Sequence, residues 1–144
     1  MGYPIVFIPV AVGCMVQFIK FTLSTIKSGK MKVEYIFRPG HMPSAHSAFV
    51  VSLVTVVANS DGISSTTFAI SVVLAYIVIY DALIIRTNIG YNGKIINKLV
   101  KESSGIKKEN YPVMKEVMGH NFWEVIIGSV LGFVFSVLFL IMLQ

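Results

Sequence analysis

The run "FWEVIIGSVLGFVFSVLFLIML", Phe122–Leu143, holds one charged residue, Glu124, in 22 positions. As a helix rising about 1.5 Å per residue, it is long enough to cross a hydrocarbon core roughly 30 Å thick. Three further apolar runs precede it: Ile5–Thr25, with Pro9 in its first turns where a missing N–H costs least, Ser44–Asn59 and Ser65–Ile85. The second is short, at roughly 24 Å, so its histidine end must lie near one membrane face. Between the second and third, "SDGISS" is a turn: Gly62 breaks the pattern, and Ser64 or Ser65 can cap the next helix. Only 13% of the chain is charged and 55% is hydrophobic, with mean hydropathy +0.76; a soluble domain is typically about 25% charged. The expectation is an all-α integral membrane protein, a single membrane domain over residues 1–144 built as a bundle of four transmembrane helices. A short interfacial helix is expected in "GKIINKLVKE", where Ile95, Ile96, Leu99 and Val100 recur at helical spacing between lysines. The first run lacks a basic leader and a small-residue cleavage site, so it reads as a retained helix.

The net charge of +5 would suit nucleic acid, but the bases flank apolar spans, and topology is the better reading. All 12 Lys and Arg lie at the end of span 1, in the first connection, or between the ends of spans 3 and 4; the connection after span 2 carries only Asp61. The positive-inside rule then puts the basic connections in the cytoplasm and both termini outside. Cys14, the single cysteine, allows no internal disulfide and reads as a small packing residue.

That topology gathers the three histidines, Asp81, Arg86 and Glu124 at the cytoplasmic face. Ionisable groups at the edge of lipid mark function by default. In "GHNFWEVIIGSVLG", His120 and Glu124 are four apart, neighbours on a helix face that Gly128 and Gly132 continue. The carboxylate could accept from one imidazole nitrogen and leave the other free to attack. In "MPSAHS", Ser44 is a plausible N-cap after Pro43, and the first-turn N–H groups favour an anion. His46, in that turn, could protonate a leaving oxygen; His41 is less constrained. Arg38, with Lys32 six residues before it, and Arg86 are suited to phosphate oxygens. Lys20 lies deeper than a topology signal needs and is a candidate to line the same site. Asp81 needs a partner such as Lys20 or Arg86. Two histidines, an acid, several cations and a helix N-terminus are the parts of phosphoryl transfer through a phosphohistidine.

At these residues the chain resembles the divergent branch of the type 2 phosphatidic acid phosphatase superfamily, small membrane proteins related to acid phosphatases and vanadium-dependent haloperoxidases. "QFIK", "MPSAHSA", "YDALIIRTNIG" with the later Asn97, and "GHNFWEVIIGSVLG" occur in the family's order. The resemblance implies His120 as nucleophile, Glu124 in the place of the usual Asp, His46 as general acid, Ser44 as a phosphate ligand and Arg38 as a phosphate-binding cation. Ala45 replaces the family's glycine, and Asn121-Phe122 replaces the branch's Thr-Pro. Lys32 is one residue nearer Arg38 than usual, so Lys20 is an alternative in that role. No Ser-Arg pair precedes His120, and Arg86 is the candidate replacement.

The expected function is hydrolysis of a lipid phosphate monoester or diphosphate at the cytoplasmic face, with no metal and no cofactor. The partners are the bilayer and the lipid, with no nucleic acid; Gly128 and Gly132 could also pack copies of the chain into a homo-oligomer. Two alternatives stay open: a non-enzymatic lipid-phosphate-binding or assembly protein, and a metal-dependent hydrolase using His46, His120 and Glu124 as ligands. Haloperoxidase chemistry suits a membrane site least. Phosphatidylglycerophosphate, phosphatidate and polyprenyl phosphates all present a phosphate to this face.

Overall fold

The computed structural model describes residues 5–29, 42–103 and 112–143. Its elements are α1 (Phe7–Ser28), α2 (Ala45–Asp61), α3 (Thr66–Tyr80), a π-helical turn (Asp81–Ile85), α4 (Arg86–Glu102) and α5 (Phe122–Met142). Local chemistry sets their ends. Ser44 caps α2 by accepting the Ser47 N–H at 3.4 Å, and Ser65 caps α3 by accepting the Phe68 N–H at 3.1 Å. Asn121 and Glu124 form a reciprocal capping box at the start of α5. Gly29, at φ 64°, closes α1 in the left-handed conformation that glycine adopts without strain.

The central helix is α2, packed against α1, α3 and α5. Its contact with α5 is made through small residues. A Cβ added to Gly128 would collide with the Ser44 carbonyl, and one added to Gly132 with the Ala48 carbonyl. One turn further, the buried Ser136 hydroxyl donates to Ser52 Oγ at 2.6 Å. These contacts share one sequence offset, so the two helices run parallel, with the start of α2 beside the second turn of α5. α1 runs the other way. Gly13 lies against Phe49, Ile8 joins the core with Val56 and Leu140, and Lys20 falls near the N-terminal ends of α2 and α5. Val12, Val16 and Ala48 complete that core.

Among the described residues, three helical stretches are long and apolar enough to cross a bilayer: Phe7–Ser28, Thr66–Glu102 and Phe122–Met142. Their outward side chains, such as Phe18, Val73 and Phe133, are exposed; facing lipid, these need no protein cover. The chain is an all-helical integral membrane protein among its described residues. The 17-residue α2 is shorter than these three and is shielded by its neighbours.

The sequence expectation of a separate interfacial helix is corrected. The Thr66–Glu102 stretch is continuous over 37 residues, about 55 Å, well beyond a hydrocarbon core of about 30 Å. No proline interrupts it, and its two glycines are covered by backbone from residues 115 and 116 rather than used as breaks. Ile95, Ile96 and Leu99 are exposed, while the covered face of α4 is Gly90, Gly93 and Asn97. The single cysteine, Cys14, is also exposed.

Gly132→Ala is expected to cost about 1–3 kcal/mol of stability, as overpacked sites do. Thermal unfolding in detergent should register that loss, while Val134→Ala, on the exposed face of the same helix, should leave the transition unchanged.

Candidate active site

The first turn of α2 and the residue pair that leads into α5 bring two histidines together. The His46 and His120 rings meet edge to face, with centroids 6.1 Å apart and planes at 76°. His46 is exposed, whereas His120 is only 8% exposed. Two cations, Lys20 from α1 and Arg86 from the end of the π turn, act electrostatically on both rings. The Lys20 side chain is buried, and Glu124 is the carboxylate that acts on it. Arg86 Nε donates to Asp81 Oδ2 at 2.6 Å, so Arg86 is the partner that Asp81 needed. Burial, then the charges of Lys20, His46 and Arg86, push His120 down to about 4. Its imidazole is therefore neutral at pH 7, the form that can attack or accept a proton.

The expected hydrogen bond between Glu124 and His120 is not made. Glu124 Oε2 accepts the Asn121 N–H at 3.0 Å, and His120 Nδ1 is buried with no partner among the described residues. The reason is local: α5 begins at Phe122, so His120 precedes the helix and the four-residue spacing does not align the two side chains.

His120 is held instead through its backbone. In the π turn, the Arg86 N–H donates five residues back, to the Asp81 carbonyl. The Ala82 carbonyl thereby loses its ordinary helical donor, and it accepts the His120 N–H at 3.0 Å. The residues leading to His120 lie antiparallel along α4. Asn97 Nδ2 donates to the Met114 carbonyl and to Glu116 Oε1, and Asn97 Oδ1 accepts the Met114 N–H, each at 2.9 Å. A Cβ at Gly93 would strike the Lys115 carbonyl, and one at Gly90 the Glu116 carbonyl. Gly119 presses on Thr87 closely enough that a Cβ there would meet its Oγ1. Gly90, Gly93 and Asn97 thus form a track that delivers His120 to the π turn. Sequence reasoning read this region as a surface helix and missed the track; the signal available was two glycines and an asparagine on one face amid helix formers.

Ser44 is fully buried. Its Oγ accepts from the Ser47 hydroxyl at 2.9 Å, and its N–H donates to the Glu124 carbonyl at 3.0 Å. That bond ties the starts of α2 and α5 together just below the histidines. Arg38, Lys32 and His41 lie outside the described residues. Among the described residues, no group of three or more His, Cys, Asp and Glu side chains is gathered closely enough to share a metal ion, and His46, His120 and Glu124 are not such a trio. The arrangement offers a buried neutral imidazole, an exposed second imidazole and two cations around one small volume, which suits an anion.

Residues 2–135 match the Divergent PAP2 family, and the chain belongs to it. It is also similar to the uncharacterized membrane protein YuiD of Bacillus subtilis (strain 168), 35% identical over 127 residues, which cover 81% of this chain and 80% of the relative. No solved structure matches the chain.

Two outcomes check the site. The His120 imidazole, followed by NMR, is expected to titrate with a midpoint near 4, and Lys20→Met should raise that midpoint by removing a positive neighbour. Between the free-histidine range near 6.5 and this lower value, the unfolded chain takes up the proton first, so stability should fall as pH drops through that window. Asn97→Ala should speed hydrogen exchange at the His120 amide, because it removes the three bonds that seat the track.

Proposed function

We propose that the protein is a membrane phosphatase that hydrolyses a lipid phosphate monoester or diphosphate through a phosphohistidine at the cytoplasmic face, with both termini outside. The observation that carries this reading is the pair of imidazoles, 6.1 Å apart, flanked by Lys20 and Arg86. An in-line transfer needs a nucleophile about 3 Å from phosphorus and an acid within about 3 Å of the leaving oxygen on the far side. The spacing of the two rings is of that order.

In this scheme neutral His120 attacks phosphorus. Lys20 and Arg86 offset the charge on the equatorial oxygens, joined by Arg38 and Lys32 from the first basic connection and by the N-terminus of α2 at Ser44. Asp81 orients Arg86. His46 gives its proton to the leaving alkoxide or phosphate oxygen, and the P–O bond breaks. Water then yields a proton to His46 and attacks the phosphohistidine, releasing inorganic phosphate and free His120. Glu124 is a positioning residue: it caps α5 immediately after His120 and sets its charge beside Lys20. The scheme uses no metal or cofactor. Its support is the family membership, the converging side chains and the lowered proton affinity of His120.

One observation favours the alternative of a non-enzymatic lipid-phosphate binder: among the described residues, His120 Nδ1 has no acceptor to fix its tautomer. Turnover separates the two. Phosphate release by the purified chain, screened over lipid phosphates, should fall to background with His120→Ala and by about 10²-fold or more with His46→Ala. Glu124→Gln should cost less, since glutamine preserves the cap. Vanadate, which adopts the five-coordinate shape of the transition state, should inhibit, and EDTA should not. Binding without turnover on any lipid phosphate would favour the binder; loss with EDTA and recovery with a divalent ion would favour a metal-dependent hydrolase. For topology, in a Cys14→Ser background, a cysteine at Ser60 should react with an impermeant thiol reagent from outside the cell and one at Ser104 should not.

A further inference from the structure

A cavity of about 510 Å³ opens beside His120, between the π turn and the segment that leads into α5. That volume lies in the range of small-molecule sites, roughly 300–1,000 Å³. Its lining changes character along its length. Leu83, Ile84 and Phe122, with Asn121 beside Phe122, form the end at the π turn and the start of α5, while Thr87 and Glu116, the latter against Gly90, form the end along α4. The two ends therefore differ in polarity, with His120 among the lining residues. The apolar end is open: Ile84 is 44% exposed and Phe122 is 58% exposed. Trp123, next to Phe122 and in edge-to-face contact with it, is exposed as well. Exposed tryptophan at the start of a spanning helix marks the membrane–water boundary, so the cavity sits where headgroups give way to chains.

We infer that this groove receives the hydrocarbon chain of the phosphate ester whose phosphate is handled at His120, with Leu83, Ile84 and Phe122 as its specificity-determining residues. The inference rests on the phosphatase reading for the identity of the headgroup. A chain entering from the bilayer meets Ile84 and Phe122 first and reaches His120 without leaving apolar surface. The chain moves from one apolar phase to another, so the groove discriminates by the shape of the chain next to the phosphate and not by its length. Asn97 Nδ2 donates to the Glu116 carboxylate and ties it to the α4 track.

Photolabelling of the full chain in phosphatidylcholine vesicles tests this without requiring turnover. The probe is hexadecyl phosphate bearing a diazirine near the middle of its chain, with labelled residues mapped by mass spectrometry. Label is expected on Ile84, Met118 and Phe122, displaced by excess unlabelled hexadecyl phosphate but not by hexadecanol. Ile84→Asn should lower labelling at Phe122 at least fivefold. Farnesyl phosphate is compared as competitor: displacement by either phosphate supports the groove, and the stronger competitor distinguishes an isoprenoid from a saturated chain. Label spread evenly over lipid-facing positions such as Ile70, Val73 and Phe133, or label that neither phosphate displaces, overturns the inference. Labelling in the groove with no phosphate release from any ester would leave the groove standing and remove the phosphatase reading. Phosphate release without labelling in the groove would do the reverse.

Discussion

The close, parallel contact between α2 and α5 is the constraint on which the rest depends. Gly128 and Gly132 let the α5 backbone sit on the carbonyls of Ser44 and Ala48, and the Ser52–Ser136 hydrogen bond holds the same register deeper in the bundle. In lipid, where apolar side chains gain nothing by leaving one apolar phase for another, such close backbone packing and buried hydroxyl pairs are what associate helices. In this register the start of α2 lies beside the second turn of α5. The Ser44 N–H donating to the Glu124 carbonyl fixes that stagger, and His46 and His120 meet at this end of the pair. The glycines that could have joined two copies of the chain are spent within one.

The second determinant is the continuous helix of α3, the π turn and α4. A π turn widens the helix and releases a carbonyl, and here the released Ala82 carbonyl holds the backbone of His120. The same turn carries Asp81 and ends at Arg86, so one irregularity places an ion pair and anchors a histidine. The Gly90, Gly93 and Asn97 track then fixes the register of the approach segment, and its bonds tolerate no slippage because Asn97 uses both ends of its amide.

Much of this was legible in the sequence. Long apolar runs reveal membrane helices because the bilayer sets their length, and Ser44 and Ser65 announced helix starts through their capping chemistry. The gathering of His46, His120, Lys20 and Arg86 at one end followed from where the charges lie along the chain. The pairing of His120 with Glu124 did not follow, because it assumed helix through Gly119. "NFWE" carried the contrary signal, an asparagine three residues before a glutamate, which is a helix-start pattern. The π turn and the α4 track were not legible. Both arise from tertiary demand, and isolated glycines within a helical pattern do not say whether they break the helix or admit a neighbouring backbone.

The central claim is that His120 carries the phosphoryl group between substrate and water. Rapid acid-free quenching of the purified chain with a ³²P-labelled lipid phosphate, followed by peptide mapping, tests it most directly. The account predicts a base-stable, acid-labile label on the peptide containing His120, formed and lost at the rate of turnover and absent from His120→Ala. Label on a serine such as Ser44 or Ser47, or full turnover with no labelled histidine at any time point, would contradict it.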